Sequence, residues 1–385
     1  MTRFWQNPQT SCPVLVEPVR ELVRRQVQRL PLALCVHDWC VLPFAHAQKT
    51  DCLQRTHVRT MGYDLLSALV VCVTTGQPFG VMEVQLQTNH GFVSTRPDGP
   101  SGSLGHLEQL LPVMQASRTW RLAPRLVHVI DREADSVDHY RQWEQQGHTF
   151  LVRADDRRVR WGQQSYLISE IVQQLWHSRQ FLLQPAWSET HPNEQLWLAS
   201  TEVVLYRAAQ KNSRGKRWHR AGRPVTLRLI VSQIRQPERL VAEWWLLSNV
   251  PASWADAVRL TQWYYWRWQI ESYHKLLKSA GFNVREWLQQ KGERVAKRLL
   301  IANMACALVW RLQRDPSAAA QQLRDVLVEL SGRQMKGKKA ATVPALLDGL
   351  EKLLAVLKLT ERLSLSDLKQ LLETQMPELF SRPTE

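Results

Sequence analysis

Three acidic side chains occupy positions from which they could hold divalent metal ions. Asp38 and Asp131 each follow a short apolar run, at 32–36 and 126–130, and such runs are typical of strands buried on both faces. Glu271 lies in a segment with helical periodicity. Carboxylate oxygens suit Mg²⁺ or Mn²⁺, and two such ions about 4 Å apart can bind the attacking and leaving oxygens of a phosphoryl displacement. The three carboxylates therefore predict a metal-dependent phosphoryl-transfer site.

The segment around Glu271 carries further ionisable groups at helical spacing. Successive separations of 3, 4, 4 and 3 residues join Tyr264, Arg267, Glu271, Lys275 and Lys278. At 100° per residue they fall within an arc of roughly 80°. The apolar side chains on the opposite face are Trp266, Ile270, Tyr273 and Leu277. A surface ladder of salt bridges would produce the same spacing, so this helix alone leaves both interpretations open.

The charge of the chain favours a polyanionic partner. The chain has 50 Lys and Arg residues and 35 Asp and Glu residues, which gives a formal net charge of +15. Neutralising nucleic-acid phosphates releases condensed counterions, so such a chain is suited to bind DNA or RNA. The six cysteines form no C-x-x-C pair, and reduced cysteines suit a cytoplasmic compartment. No apolar run is long enough to span a bilayer, so no membrane partner is expected.

The elements that must position these residues predict an α/β fold. The chain order is a strand to Asp38, a hairpin at 64–88, a helix at 104–116 and a strand to Asp131. A helix at 136–146 and a strand at 149–155 follow. A strand, an antiparallel hairpin and a return through a helix favour a mixed sheet with helices on its faces. This order matches a ribonuclease-H-like core, in which both aspartates end neighbouring parallel strands.

Composition then divides the chain into five stretches. We expect a short N-terminal remnant at 1–30, the first part of the core at 31–155 and a mainly β insertion at 156–250. The helical second part of the core is expected at 251–315, and a helical C-terminal region, suited to dimerisation, at 316–385.

Two strings carry a resemblance to a known family. Tyr264-x2-Arg267-x3-Glu271-x6-Lys278 matches the Y-(2)-R-(3)-E-(6)-K signature of insertion-sequence transposases of the IS-four family. The segment 131–135, D-R-E-A-D, is similar to the family segment around its second catalytic Asp. The chain resembles the Tn-five transposase group in particular, where a β domain separates the second Asp from the Glu. The separation here is 271 − 131 = 140 residues, which leaves room for such an insertion.

This resemblance assigns roles to residues. Asp38, Asp131 and Glu271 would be the catalytic carboxylates that hold two Mg²⁺ or Mn²⁺ ions. The residues that would contact DNA are Tyr264, Arg267, Lys275, Lys278, Arg153 and Trp245. Trp245 would stack on a flipped base, although a core position in the last inserted strand is the competing interpretation.

The resemblance also implies a mechanism and its partners. The enzyme would nick double-stranded DNA at the transposon ends, form a hairpin, open it and join the 3′ hydroxyl to target DNA. A homodimer assembled on DNA and a bacterial cytoplasmic, nucleoid-associated location are expected.

Two departures from the family pattern leave alternatives open. Trp39 and Cys40 follow Asp38, where the family usually has Ser or Thr, and 37 residues precede Asp38 where relatives have more. The alternatives are a metal-dependent endonuclease that does not rejoin DNA, and a DNA-binding remnant or inhibitor of a full-length transposase. A basic helical scaffold without chemistry is the remaining interpretation.

Overall fold

The computed structural model describes residues 4, 7, 9–44, 51–54, 61–97, 104–184, 194–211, 217–236, 239–333 and 341–376. Its strands are β1 (Leu32–Phe44), β2 (Leu53–Gln54), β3 (Met61–Cys72), β4 (Pro78–Thr88), β5 (Gly91–Ser94), β6 (Arg125–Ile130), β7 (Thr149–Arg153), β8 (Arg158–Trp161), β9 (Gln164–Leu167), β10 (Leu182–Gln184), β11 (Gln195–Lys211), β12 (Arg217–Gln236) and β13 (Arg239–Ser248). Its α-helices are α1 (Cys12–Val27), α2 (His106–Ser117), α3 (Val137–Gln145), α4 (Ile168–His177), α5 (Ala257–Tyr265), α6 (Trp268–Lys275), α7 (Gly292–Arg314), α8 (Ala318–Ser331), α9 (Val343–Thr360) and α10 (Leu365–Gln375). Short 3₁₀ turns cover Arg118–Trp120, Arg132–Ala134 and Val284–Glu286, and a π-helical turn covers Leu276–Ala280.

The described strands form one mixed sheet. Their order is β5-β4-β3-β1-β6-β7-β13-β12-β11-β8-β9, with β2 paired to β3 and β10 to β11. Strand β1 is antiparallel to β3 and parallel to β6, which is parallel to β7. The antiparallel pairing of β3 with β4 confirms the predicted hairpin. The mixed sheet and its helices confirm the predicted α/β class.

Strand β1 is longer than predicted, and this changes the place of Asp38. The sequence predicts a strand that ends at Asp38, but β1 continues to Phe44. Cys40, Leu42 and Phe44 are buried on alternate positions, and pairing with β3 continues to Phe44↔Met61. The parallel pairing with β6 stops at His37↔Ile130. Asp38 therefore lies inside a strand, at the point where its parallel neighbour ends.

Helix α1 packs a stripe of valines on the sheet. Val16, Val19, Val23 and Val27 recur every three or four residues and are fully buried. The last three belong to a core that also holds side chains of β1, β3 and β4. This spacing is that of one helical face, and it covers one side of the antiparallel half of the sheet.

Residues 156–250 continue the sheet beyond β7. Strand β13 pairs with β7 through Leu247↔Val152, and β12 and β11 follow in antiparallel order. Helix α4 buries Ile168, Ile171 and Leu175 in the core that these strands share with α3.

The predicted helix at 264–281 is divided in the structure. Helix α5 ends at Tyr265, Trp266 and Arg267 form a turn, and α6 starts at Trp268. The Arg267 N–H donates to the Tyr264 carbonyl three residues earlier, at 3.0 Å. Trp266 packs on the hairpin turn at Gly76, and Arg267 is also buried. Any Cβ at Gly76 (φ +70°) would overlap the Trp266 ring. The prediction of one continuous helix was wrong, because a turn at Trp266 and Arg267, both of which are buried, interrupts it.

The chain forms two compact units, Met1–Ala307 and Leu308–Glu385. In the second unit, Ser317 caps α8 by accepting the Ala320 N–H, and Gly332 ends it with a left-handed φ of +69°. Helices α8 and α9 approach closely, because Gly349 lies directly against the backbone of Leu327. Among the helices that the structure describes, none has the length and apolar character needed to cross a membrane.

Candidate metal-binding active site

Asp38 and Asp131 lie at the same level of the sheet on neighbouring strands. The last parallel pair between β1 and β6 is His37↔Ile130, and each aspartate is the next residue. Because alternate residues of a strand face opposite sides, Asp38 points away from the face that His37 occupies. The strand register therefore places these two carboxylates close together, as the sequence predicts.

Backbone and side-chain donors fix one oxygen of each aspartate. Asp131 starts the 3₁₀ turn at Arg132–Ala134, and its Oδ1 accepts the Arg132 N–H at 2.7 Å. The Tyr264 hydroxyl donates to the same oxygen at 2.9 Å. The Trp39 N–H donates to Asp38 Oδ1 at 2.9 Å. These contacts leave Oδ2 of both aspartates directed elsewhere.

The remaining oxygens converge on one guanidinium group. Arg267 Nη1 lies 3.6 Å from Asp38 Oδ2, and Nη2 lies 3.6 Å from Asp131 Oδ2 and 2.5 Å from Glu271 Oε1. The Arg267 side chain is 7% exposed. Three carboxylates from a strand interior, a strand end and a helix thus surround a single buried positive charge.

The pKa values of the two aspartates are shifted in opposite directions by burial and by this guanidinium. Burial raises the pKa of Asp38 to about 6, although Arg267 and the Trp39 amide oppose the shift. For Asp131, burial also acts to raise the pKa, but Arg267, the Arg132 amide and the Tyr264 hydroxyl outweigh it and hold the pKa below its ordinary value. Burial acts to lower the pKa of Arg267, but Tyr264 and the carboxylates raise it above its ordinary value.

The residues present fit a divalent cation. Three carboxylates supply oxygen donors of the type that Mg²⁺ and Mn²⁺ prefer, and they already converge on a positive charge. The two 3.6 Å separations exceed hydrogen-bond length, so Oδ2 of Asp38 and of Asp131 remain available as ligands. Side-chain exposures of 19%, 36% and 34% for Asp38, Asp131 and Glu271 give solvent a path to the site.

The other predicted cations lie at different distances from the carboxylates. Arg153, at the end of β7, is half-buried and close enough to lower the pKa of Asp131. Lys278 is half-buried in the π-helical turn and is close enough to lower the pKa of His274. Lys275 is exposed at the end of α6. Arg153 and Lys278 therefore border the site, while Lys275 lies on the surface beside it.

Trp245 and its neighbour Trp244 face opposite sides of β13. Trp245 packs against the core shared by α3 and α4, and its Nε1 is buried without a hydrogen-bond partner among the described residues. Trp244 instead meets Tyr264 edge to face, with ring centroids 5.7 Å apart. Of these two tryptophans, Trp244 is therefore the one that contacts a residue of the site, and the alternation of strand residues was the signal that could have indicated it.

His274 is a site residue that sequence reasoning missed. Its Nδ1 lies 3.9 Å from Asp38 Oδ2, and the residue is 5% exposed. Burial lowers its pKa to about 3, and Lys278 and Arg267 act in the same direction, so the imidazole is neutral at pH 7. Its position three residues after Glu271 places it on the same side of α6, which is the signal that could have found it.

The last Asp of the D-R-E-A-D string has a structural role. The Asp135 side chain is fully buried, accepts the Tyr140 hydroxyl at 2.7 Å and pairs with Arg157 at 3.0 Å. It also accepts the Asp155 N–H at 2.8 Å. These contacts tie the turn after β6 to the loop after β7 and so hold Asp131 in place.

A family model and a solved structure are similar to this chain. Residues 90–310 match the family model of the transposase DDE domain, a stretch that includes Asp131 and Glu271. Among solved structures, the chain is similar to the piggyBac transposase in a synaptic complex with hairpin DNA, at 12% identity and a TM-score of 0.29. That similarity covers 85% of this chain and 65% of the length of that chain.

Proposed function

Because this chain belongs to the transposase DDE domain family, we propose that it is a DNA transposase whose catalytic carboxylates are Asp38, Asp131 and Glu271. It cuts double-stranded DNA at transposon ends and joins the freed 3′ hydroxyl to target DNA, with a DNA hairpin as the intermediate.

One observation carries the assignment of the site. Asp38, Asp131 and Glu271 come from three distant parts of the chain, yet their oxygens lie 2.5–3.6 Å from one guanidinium. A surface ladder of salt bridges would join only residues of one helix, such as Arg267 and Glu271. The inclusion of two strand aspartates supports a metal-binding site over that simpler interpretation.

The three carboxylates would hold Mg²⁺ or Mn²⁺, and we propose two ions. When bound, such ions lower the pKa of water and offset the charge that develops on a phosphoryl group. The chain's own groups prepare the site for this. Tyr264 and the Arg132 amide orient Asp131, the Trp39 amide orients Asp38, and Arg267 offsets the mutual repulsion of the carboxylates. Arg267 would also attract the DNA phosphate at the cleavage point.

The cations around the carboxylates would bind the DNA backbone. Arg153 and Lys278 border the site and Lys275 is exposed beside it, so each is available to a phosphate group. Tyr264 and Arg267 are the innermost members of this set. Trp245 is retained as the proposed stacking residue, although the position of Trp244 beside Tyr264 makes Trp244 the competing choice.

The strand order supports a ribonuclease-H-like core. Strands β1, β3 and β4 are antiparallel, and β6 and β7 add in parallel beside β1. We propose that this core comprises 31–155 and 251–315, that 156–250 is an insertion, and that 1–30 and 316–385 are the accessory ends.

Pairing of two copies on DNA is proposed for the C-terminal region. Its described helices expose large apolar side chains: Leu354, Leu357, Leu365 and Leu371 are each at least half exposed. Apolar surface of this kind favours a protein partner, and a second copy would bring two active sites to the paired ends.

The six cysteines are free thiols, which suits a reducing bacterial cytoplasm around the nucleoid.

The test incubates the full chain with short duplexes that carry the ends of its element, in Mg²⁺ or Mn²⁺. Nicks, hairpins and joined products that require the metal and vanish in Asp131→Asn and Glu271→Gln would support the proposal. Cleavage without joined products would indicate an endonuclease. Binding without cleavage would indicate a remnant or an inhibitor.

A further inference from the structure

A second group of metal-binding side chains lies on the opposite face of the strands that carry the aspartates. Cys35, His37 and His128 each offer one ligand atom, a thiol sulfur or an imidazole nitrogen, and these three atoms lie within 4.8 Å of one another. We propose that these three residues bind one Zn²⁺ ion, and that this ion joins β1 to β6 behind the active site. The proposal does not depend on the transposase activity.

The strand register brings these residues together. Cys35 pairs with His128 across the parallel strands, and His37 lies two residues further on the same face. His37 Nε2 and His128 Nδ1 are 2.8 Å apart. Cys35 and His37 are fully buried and His128 is 2% exposed. A thiol and two imidazoles thus meet inside the protein with their ligand atoms already close.

Two nitrogen atoms in this region have no hydrogen-bond partner within the described part of the chain. They are His37 Nδ1 and His148 Nε2. His148 lies just before β7, 5% exposed, with its ring centroid 5.5 Å from that of His128. A buried polar atom without a partner destabilises the folded protein. A bound ion would give these rings a role that packing alone does not, and His148, whose ring lies beside that of His128, is a candidate for a further nitrogen ligand.

A cavity opens beside His128, one of the three proposed ligands. It has a volume of about 280 Å³ and is lined by His128, His148, Arg118, Leu126 and Trp254, among others. An ion could therefore reach His128 without unfolding the sheet. Burial, and then Arg118 on the cavity wall, lower the pKa of His148, and the neutral imidazole is the form that binds metals.

The ligand types select the metal. Thiolate and imidazole favour Zn²⁺, whereas carboxylates favour Mg²⁺ and Mn²⁺. Binding requires the Cys35 thiol to lose its proton, so one proton leaves for each ion bound. The hydrogen between His37 and His128 moves to another ring nitrogen and is not lost.

The position of the ion would connect it to the active site. His37 directly precedes Asp38, and His128 lies three residues before Asp131. An ion held by both histidines would fix the spacing of the two strands at the level of the catalytic aspartates.

Cobalt(II) is the probe for the test, because thiolate ligation gives an intense near-ultraviolet charge-transfer band and tetrahedral geometry gives strong visible bands. The full chain carrying Asp131→Asn and Glu271→Gln is used, so that the carboxylate site does not compete. After dialysis against a chelator, we expect one equivalent of Co²⁺ to produce both bands and one equivalent of Zn²⁺ to remove them.

Three further variants identify the ligands. Cys35→Ser should abolish the charge-transfer band, and His128→Asn should weaken Co²⁺ binding at least tenfold. Cys306→Ser, which alters another fully buried thiol, should leave both bands intact. Absence of a charge-transfer band in the folded parent protein would overturn the proposal, as would a band that persists in Cys35→Ser. The parent titration decides the matter even if a variant fails to fold.

Discussion

The Tyr264 hydroxyl donates a hydrogen bond of 2.9 Å to Asp131, a residue 133 positions earlier in the chain. This contact joins the end of α5 to the turn after β6, and so joins the helical segment that carries Glu271 to the sheet that carries the aspartates. Tyr264 is 4% exposed. Its phenol therefore orients the Asp131 carboxylate, which is one of the three proposed catalytic groups.

Removing this hydroxyl should slow DNA cleavage without unfolding the protein. A hydrogen bond to a charged group contributes about 1.5–3 kcal/mol, and each 1.4 kcal/mol corresponds to about a tenfold change in rate. We expect Tyr264→Phe to lower the single-turnover cleavage rate about tenfold to 100-fold. Tyr265→Phe is the matched control, because Tyr265 is 42% exposed. Equal rates for the two variants would show that the Tyr264 hydroxyl does not support the site.

Binding of Mn²⁺ should depend on pH through Asp38. The pKa of Asp38 is raised to about 6 by burial, so below pH 6 an ion must displace a proton from this carboxyl group. We expect Mn²⁺ affinity to be constant above about pH 7 and to fall about tenfold per pH unit below 6. Titration followed by electron paramagnetic resonance measures this. A profile that stays flat down to pH 5 would contradict the role of Asp38 as a ligand.

Acid should destabilise the protein through its buried histidines. Burial lowers the pKa of His37 to about 3, and His148 acts in the same direction; burial and Arg118 lower the pKa of His148 itself to about 4. Because both folded-state pKa values lie below the unfolded value of 6.5, the unfolded chain binds protons first as pH falls. Stability is therefore retained above pH 6.5 and lost as pH falls from 6.5 to about 4 for His148 and to about 3 for His37, by on the order of a few kcal/mol.

Denaturant unfolding in the presence of a chelator checks this acid effect. His148→Gln should flatten the dependence of the unfolding free energy on pH, whereas His177→Gln, at an exposed helix end, should not. An unchanged slope in His148→Gln would exclude His148 as a source of the acid sensitivity.

The two adjacent tryptophans of β13 should differ in their effects. Trp245 packs on the core, so Trp245→Ala should lower the unfolding free energy by about 3 kcal/mol. Trp244 contacts Tyr264, so Trp244→Ala should lower the rate of DNA cleavage and have a smaller effect on the unfolding free energy than Trp245→Ala. Fluorescence of 2-aminopurine placed next to the cleavage point reports base stacking. The proposed stacking role of Trp245 would be supported if Trp245→Ala lost the quenching of 2-aminopurine, Trp244→Ala kept it, and Trp245→Ala were as stable as the parent protein.

Much of the fold follows from local patterns. The apolar runs before Asp38 and Asp131 predict adjacent buried strands, and the turn at 76–78 predicts the hairpin. Register then follows from the burial of both faces. The strands and the hairpin follow from residues close in sequence, whereas the proximity of the two aspartates was predicted from the order of the elements, which matches a ribonuclease-H-like core.

The features that were missed depend on contacts distant in sequence. Strand β1 continues past Asp38 because β3 pairs with it as far as Met61, and the 264–281 helix breaks where Trp266 meets Gly76. The placement of Arg267 among three carboxylates, and of His37 against His128, also arises from tertiary packing. Helical periodicity placed Arg267 opposite the apolar face of the helix, but the structure buries it.

The most direct measurement compares Glu271→Gln with Glu286→Gln, an exposed glutamate in a nearby turn. Single-turnover cleavage of end-bearing duplexes and DNA binding are measured in parallel. The account predicts that Glu271→Gln binds DNA with unchanged affinity but cleaves it about 1,000-fold more slowly or worse, while Glu286→Gln matches the parent protein. Cleavage by Glu271→Gln within tenfold of the parent rate would contradict the assignment of the active site.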